Sequence, residues 1–270
     1  MLWWILLCFT AAAATALLSP CVLTLGRWQL LRPRIALTAW FGAFFLGLLF
    51  ILAGLVGSVL GAIGASEAVS TRESVLLTVA GWLGLGIFGA IIALVSVSVE
   101  PLVELNKLRT VALVPIASSR KRHGRLTLVR FHSTEPIAFA LPGRRPEIFL
   151  SSAVEQLLTP AQIQAVIAHE YAHLRQHHGW ALRIAHINTM CLAGRWPGRA
   201  FQPAITLLVE LAADDAAARQ AGAAHLANAL TILGEASGDQ GMRLRASRLT
   251  ERRWPRVSQR RLPEVIQHIA

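Results

Sequence analysis

Residues 168–178 read AHEYAHLRQHH and place four histidines and one glutamate within eleven positions. His169 and His173 are four apart, so on an α-helix they project from one face and can bind one ion. Glu170 lies beside the first histidine, where its carboxylate can hold a water and take its proton. This is the H-E-x-x-H arrangement of zinc proteases, with two neutral imidazoles for the metal and a carboxylate as base. The chemistry it could perform is metal-assisted hydrolysis. The alternative is a basic helix with extra imidazoles.

Two histidines leave a zinc ion short of a third protein ligand. His177 is four beyond His173, but the ends of such a run lie about 12 Å apart, so the three cannot all converge on one ion. The longer H-E-x-x-H-x-x-G-x-x-H pattern fails as well, because Gln176 and Gly179 stand at its last two fixed positions. His177 and His178 are therefore expected to be solvated or to lie at a membrane surface. The other candidate is Glu210, in LLVELAADDAAARQAG. It ends an apolar run, 200–209, that is too short to cross a bilayer and reads as a buried helix. A carboxylate in that place is costly unless paired or metal-bound. Asp214 is four residues on, on the same face, and could receive the N–H of a metal-bound histidine. Alone, the segment reads as a solvated acidic helix end; beside the histidine pair, it reads as a third ligand with its support.

The elements that must position these groups leave clear traces. Thr159 is a good N-cap, Pro160 suits the first helical position and Gln162 completes a capping box. The helix that follows is expected to run to about Gly179, with Ile163, Val166 and Ile167 facing a core. RLTLVRF, 125–131, reads as a strand, and 136–152 reads as two short extended runs around the turn-rich LPGRRP. The run Ala138, Phe139, Ala140 is expected to pair with substrate as an added strand. His186, Arg183 and Arg219 are candidates for a transition-state donor.

The rest of the composition belongs to a membrane protein. The chain of 270 residues is 54% hydrophobic and only 15% charged, whereas soluble domains are nearer a quarter charged. No Asp, Glu, Lys or Arg occurs before Arg27, from Ile35 to Ala65, or from Ser74 to Val99. Each run exceeds the roughly 20 residues that cross a hydrocarbon layer, which predicts three transmembrane helices near 2–25, 38–63 and 75–98. The first lacks a basic leader and is too long in its apolar part for a cleaved signal peptide; Ser19-Pro20 is expected to kink or end it. Gly57-x-x-x-Gly61 suits close packing of the chain's own helices. Cys8, Cys21 and Cys191 imply no disulfide framework.

Arg27, Arg32 and Arg34 make the first loop basic, the second holds Glu67, Arg72 and Glu73, and Lys107, Arg109, Arg120, Lys121, Arg122 and Arg125 follow the third span. Basic residues concentrate on the cytoplasmic side. The N-terminus is then outside and everything after residue 100 inside. The net charge of +11 is mainly a topology signal, and no nucleic-acid partner is expected.

HEYAH followed by ELAADDAAARQAG resembles the BlaR/MecR-type membrane metallopeptidases, whose protease domain combines H-E-x-x-H with a later E-x-x-x-D. WPGRAFQPAITLLVELAADDA is similar to that family's tryptophan-proline region leading to an E-x-x-C-D-D run, with Ala213 in place of the cysteine. IAFALPGRRPEIFLS resembles the hairpin over the cleft in those enzymes and in the related HtpX-like proteases. The resemblance covers about 125–220 and is not expected to extend to the fourth span and extracellular penicillin-binding domain of the named receptors. It implies zinc ligands at His169, His173 and Glu210, a catalytic glutamate at Glu170 and support from Asp214, directed at His169.

The expected architecture is a membrane α-helical region of three transmembrane helices, 1–99, an α+β zincin-like metalloprotease domain on the cytoplasmic side, 100–235, and a basic C-terminal tail, 236–270. The expected function is a zinc-dependent endopeptidase of the cell membrane that acts on protein or peptide substrates, a transcriptional repressor in a signalling pathway among them. A membrane quality-control protease is an alternative. So is a non-catalytic tether whose eight tail arginines, from Arg243 to Arg261, bind anionic lipid at about 1 kcal/mol each; the intact Glu170 and ligand set weigh against that.

Overall fold

The structure, a computed structural model, describes residues 2–64, 117–191 and 196–254, with isolated positions between 75 and 89. The chain divides into two compact units. One comprises Met1–Leu102 and Ile184–Leu208, the other Val103–Arg183 and Val209–Ala270.

In the first unit, α1 (Leu2–Leu23), the short α2 (Trp28–Leu31) and α3 (Pro33–Gly64) follow one another. α1 and α3 are long and apolar enough to cross a membrane. Pro20 falls in the last turn of α1 rather than breaking it. A Cβ on Gly54 would lie 3.1 Å from the Phe9 ring, and one on Gly57 would lie 3.5 Å from Ile5 and Trp4. These glycines therefore let α1 and α3 of the same chain approach closely. Leu6, Leu7, Leu17, Leu18, Leu46 and Leu49 stay exposed on the two helices, as suits a hydrocarbon solvent. The third expected span lies for the most part outside the described residues, as do the acidic residues of the second loop.

The second unit is built on a four-stranded sheet of β1 (Ala117–His123), β2 (Leu126–Phe131), β3 (Ala138–Leu141) and β4 (Glu147–Ser151), in the order β1-β2-β4-β3. β2 and β4 run parallel; the two outer pairings are antiparallel. β2 and the β3–β4 hairpin fall where the sequence places extended runs. β1 was not expected. Its SRKRH stretch carries no apolar alternation, and an exposed charged strand suits a sheet edge that must not pair with other chains. The opposite edge is β3, whose Phe139 stacks on its cross-strand partner Phe149 with ring centroids 4.8 Å apart.

Helices α4 (Ser152–Leu157), α5 (Pro160–Arg175), α6 (His178–Cys191), α7 (Trp196–Ala217), α8 (Ala223–Ser237) and α9 (Gln240–Glu251) follow, with a π-helical turn, Ala218–Gly222, between α7 and α8. α5 opens with the expected capping box, in which Gln162 Oε1 accepts the Thr159 amide at 2.8 Å. It is a central helix. Ile167 packs on Leu126, Leu128 and Ile148 of the sheet. Val166 joins Leu150, Val154, Ala229 and Leu233, while Ala165 and Ala168 meet Leu226, Leu230 and Leu249. Ile167 is fully buried, so its truncation to alanine would cost about 2–5 kcal/mol.

α5 stops at Arg175 rather than near Gly179. Gln176 caps it, and His177 turns the chain with a positive φ of 53°. The segment expected within a basic tail forms α9, with Ala246 and Leu249 buried in the core.

Candidate metal centre

α5 presents His169 and His173 one turn apart, and α7 presents Glu210 to both. The two Nε2 atoms are 3.1 Å apart. His169 Nε2 is 3.4 Å from Glu210 Oε2, and His173 Nε2 is 3.6 Å from Glu210 Oε1. Donors about 2.0–2.2 Å from a tetrahedrally coordinated ion lie roughly 3.3–3.5 Å from one another. Two imidazole lone pairs and a carboxylate thus converge at the spacing that a metal ion imposes, and these three residues could hold one.

Asp214 lies behind this set, fully buried, with Oδ1 3.0 Å from His169 Nδ1. Burial alone would lower the basicity of His169. Hydrogen bonds to Asp214 and Glu210, with the charge of Asp214, outweigh it and push the imidazole up to about 10. Surroundings that hold a proton so firmly are surroundings that favour a cation. For His173, burial and the neighbouring His169 charge act together and lower its pKa to about 3, which keeps its lone pair available. Burial opposes ionisation of Glu210, yet the hydrogen bond from His169 holds it down at about 2. Asp214 is likewise held well below the usual range, because hydrogen bonds from Arg245 and His169 overcome its burial.

Glu170 faces the same cleft. Burial pushes its carboxyl up, against the His169 charge and a hydrogen bond from the Ala140 backbone N–H, which both lower it. That N–H belongs to β3, an edge strand of the sheet among the described residues, so the strand turns backbone groups toward the cleft. The cleft encloses about 730 Å³ and is lined by Ala138, Phe139 and Ala140 on one side and by His169, Glu170, His173, Glu210 and Arg245 on another. Val166, Leu230, Leu233 and Met242 make part of its wall apolar.

His169, Glu170, His173, Glu210, Asp214 and the run Ala138, Phe139, Ala140 are therefore in or directly behind one cleft. Of the three candidate donors, Arg183 lines it, Arg219 is not among the lining residues and His186 falls in the other unit.

Two residues were missed. Arg245 of α9 donates through Nε and Nη2 to the two Asp214 oxygens, at 2.8 and 2.7 Å, and through Nη1 to Glu210 Oε2 at 2.8 Å. Its guanidinium thus binds the same two carboxylates that face His169. Arg248 and Arg252 pair with the buried Asp215 at 2.8 and 2.9 Å. The spacing of Arg245, Arg248 and Arg252 by three and four residues on one helical face, opposite adjacent aspartates, was the available signal. The second is His178. It was expected to be solvated, but it is 4% exposed, and its Nδ1 lies 3.2 Å from His173 Nδ1. His177 is exposed as expected.

A family model described as peptidase family M48 matches residues 106–253, more than half of the chain and all of the elements that form this cleft. The chain belongs to peptidase family M48. The family is one of peptidases, and the convergent imidazoles and carboxylate are residues that could hold a metal ion. The chain is also similar to the plastoglobule-localized metallopeptidase 48 of Arabidopsis thaliana, a chloroplastic protein, at 43% identity over 51 residues. That stretch is 19% of this chain and 15% of the relative, so the chain spans only a small part of the curated protein it matches. No solved structure matches the chain.

Proposed function

We propose that this M48 protein is a membrane-embedded zinc endopeptidase of the BlaR/MecR type that cleaves protein substrates on the cytoplasmic face. The observation that carries the reading is the meeting of His169 Nε2, His173 Nε2 and the Glu210 carboxylate within 3.6 Å of one another. Nitrogen donors with a carboxylate, in a compact set of three, fit zinc in a catalytic site that keeps a position open. Bound there, zinc supplies Lewis acidity that polarises a carbonyl and acidifies water.

The protein's own groups do the rest. Glu170 is the proton acceptor; its raised pKa brings it nearer the neutral range in which a general base works best. It then returns the proton to the departing amine. Asp214 fixes the tautomer and direction of His169. Arg245 positions Glu210 and Asp214 together, since most of its N–H groups are committed to those carboxylates. Among the described residues, Arg183 is the other arginine that lines the cleft and is the donor we assign to the developing oxyanion. β3 offers its edge to an extended peptide running along the cleft. A cytoplasmic repressor with an extended segment is the substrate class we favour, in keeping with the BlaR/MecR resemblance. The tether reading loses support because three tail arginines are spent on Asp214, Asp215 and Glu210 rather than on lipid.

The deciding experiment uses Glu170→Gln in the full-length protein. Glu170 adjoins a ligand without being one, so the variant is expected to keep zinc and fold while losing about 100- to 10,000-fold in cleavage rate. Cleavage of an unfolded protein and of a co-expressed repressor is measured beside zinc content. Equal rates for variant and wild type would overturn the assignment.

A further inference from the structure

We propose that His178 is a positioning residue for the metal centre, accepting the Nδ1 proton of His173 and so fixing that ring with Nε2 aimed at the ion. The proposal rests on the reading of His169, His173 and Glu210 as the metal ligands.

His173 turns Nε2 toward His169 and Glu210, so its Nδ1 points away from them. What it meets there is Nδ1 of His178, at 3.2 Å, with the two rings nearly perpendicular at 86°. A neutral imidazole has one N–H and one lone pair. Once the Nε2 lone pair of His173 is given to a metal, its proton must sit on Nδ1 and must donate. A buried donor left without an acceptor is costly. His178 can accept only through an unprotonated Nδ1, which requires its own proton on Nε2. One metal bond therefore fixes the tautomers of both rings.

The two ligand histidines are then backed differently. His169 leans on the Asp214 carboxylate at 3.0 Å, the usual arrangement for a metal-bound histidine. His173 leans on a neutral imidazole, which orients it without adding negative charge.

The backbone is arranged for this contact. Five residues along a continuous helix would turn His178 about 140° away from His173. Instead α5 ends at Arg175, and His177 adopts φ 53°, a left-handed conformation uncommon outside glycine. α6 then begins at His178, with the Trp180 amide bonded to the His177 carbonyl at 3.0 Å. The break returns the His178 ring to the ligand it would otherwise miss, and buries it.

The test compares full-length wild type, His178→Phe and His178→Gln in detergent, with zinc as the probe. Phenylalanine keeps the ring volume and removes the acceptor; glutamine restores an acceptor oxygen. Zinc affinity is measured by competition with a chromophoric chelator. His178→Phe is expected to bind about 10- to 100-fold more weakly, and His178→Gln to recover most of that loss. Wild-type affinity in His178→Phe, or equal weakening in both variants, would overturn the proposal in favour of simple packing. A second measurement needs no variant: nitrogen NMR of zinc-loaded wild type should show His173 protonated at Nδ1 and His178 unprotonated at Nδ1. A protonated Nδ1 on His178 would overturn it independently. Wild-type protein that binds no zinc at all would instead remove the metal site on which the proposal stands.

Discussion

Arg245 shows what one side chain does when its geometry, and not only its charge, is used. Its guanidinium bridges Glu210 and both oxygens of the fully buried Asp214. Removing one partner of a buried ion pair costs about 3–5 kcal/mol, because the other charge is left uncompensated. Arg245→Met is therefore expected to lower stability by that order and to reduce zinc binding. Arg245→Lys should rescue only partly, since an ammonium cannot bond in the planar two-pronged way. Thermal unfolding with zinc analysis reads both effects; a lysine variant equal to wild type would show that charge alone suffices. Glu210→Gln should lower zinc content more than Glu170→Gln does, and undiminished zinc in it would remove Glu210 from the ligand set. That His169, His173, Glu170, Glu210 and Asp214 would gather at one cleft was legible because helical spacing and residue type state their chemistry locally. Arg245 and His178 were not, because each acts through a partner far away in sequence or through a backbone break.

The elements follow the same division. α5 announced itself through Thr159, Pro160 and Gln162, and the β3–β4 hairpin through two apolar runs flanking LPGRRP. The end of α5 was misread because nothing in RQHHG excludes another helical turn; His177 adopts its left-handed conformation where tertiary packing rewards it. β1 was hidden by charge, and α9 by its arginines, which look like a solvated tail until the acids of α7 are placed beside them. α9 also lies within the stretch that matches the M48 family. Asp215, buried between Arg248 and Arg252, is expected to hold α9 in place. Asp215→Ala should destabilise the protein by about 3 kcal/mol and, by loosening Arg245, weaken zinc binding, although Asp215 touches no ligand. Unfolding midpoints and chelator competition on this variant check the two consequences separately. Intact stability would mean that α9 is held by Ala246 and Leu249 alone.

For the whole molecule, the proposed cytoplasmic placement of the M48 domain rests on parity. Two helices, α1 and α3, are apolar and long enough to cross. With those two alone, the N-terminus and the M48 domain would share a side. The third uncharged run, Ser74 to Val99, would reverse that by crossing as well. The loop between α1 and α3 carries Arg27, Arg32 and Arg34 without an acid, and the stretch after the third run is again rich in lysine and arginine. The intervening loop has a single basic residue, Arg72, beside Glu67 and Glu73. Basic flanks are retained in the cytoplasm, so this alternation is satisfied only if the third run crosses. Reporters fused after residues 30, 70 and 110 should therefore read inside, outside and inside. A phosphatase active only outside and a fluorescent protein active only inside give opposite signals at each site. If 70 and 110 share a side, the third run does not cross, the M48 domain lies outside, and a cytoplasmic repressor is excluded as its substrate even if the zinc chemistry stands.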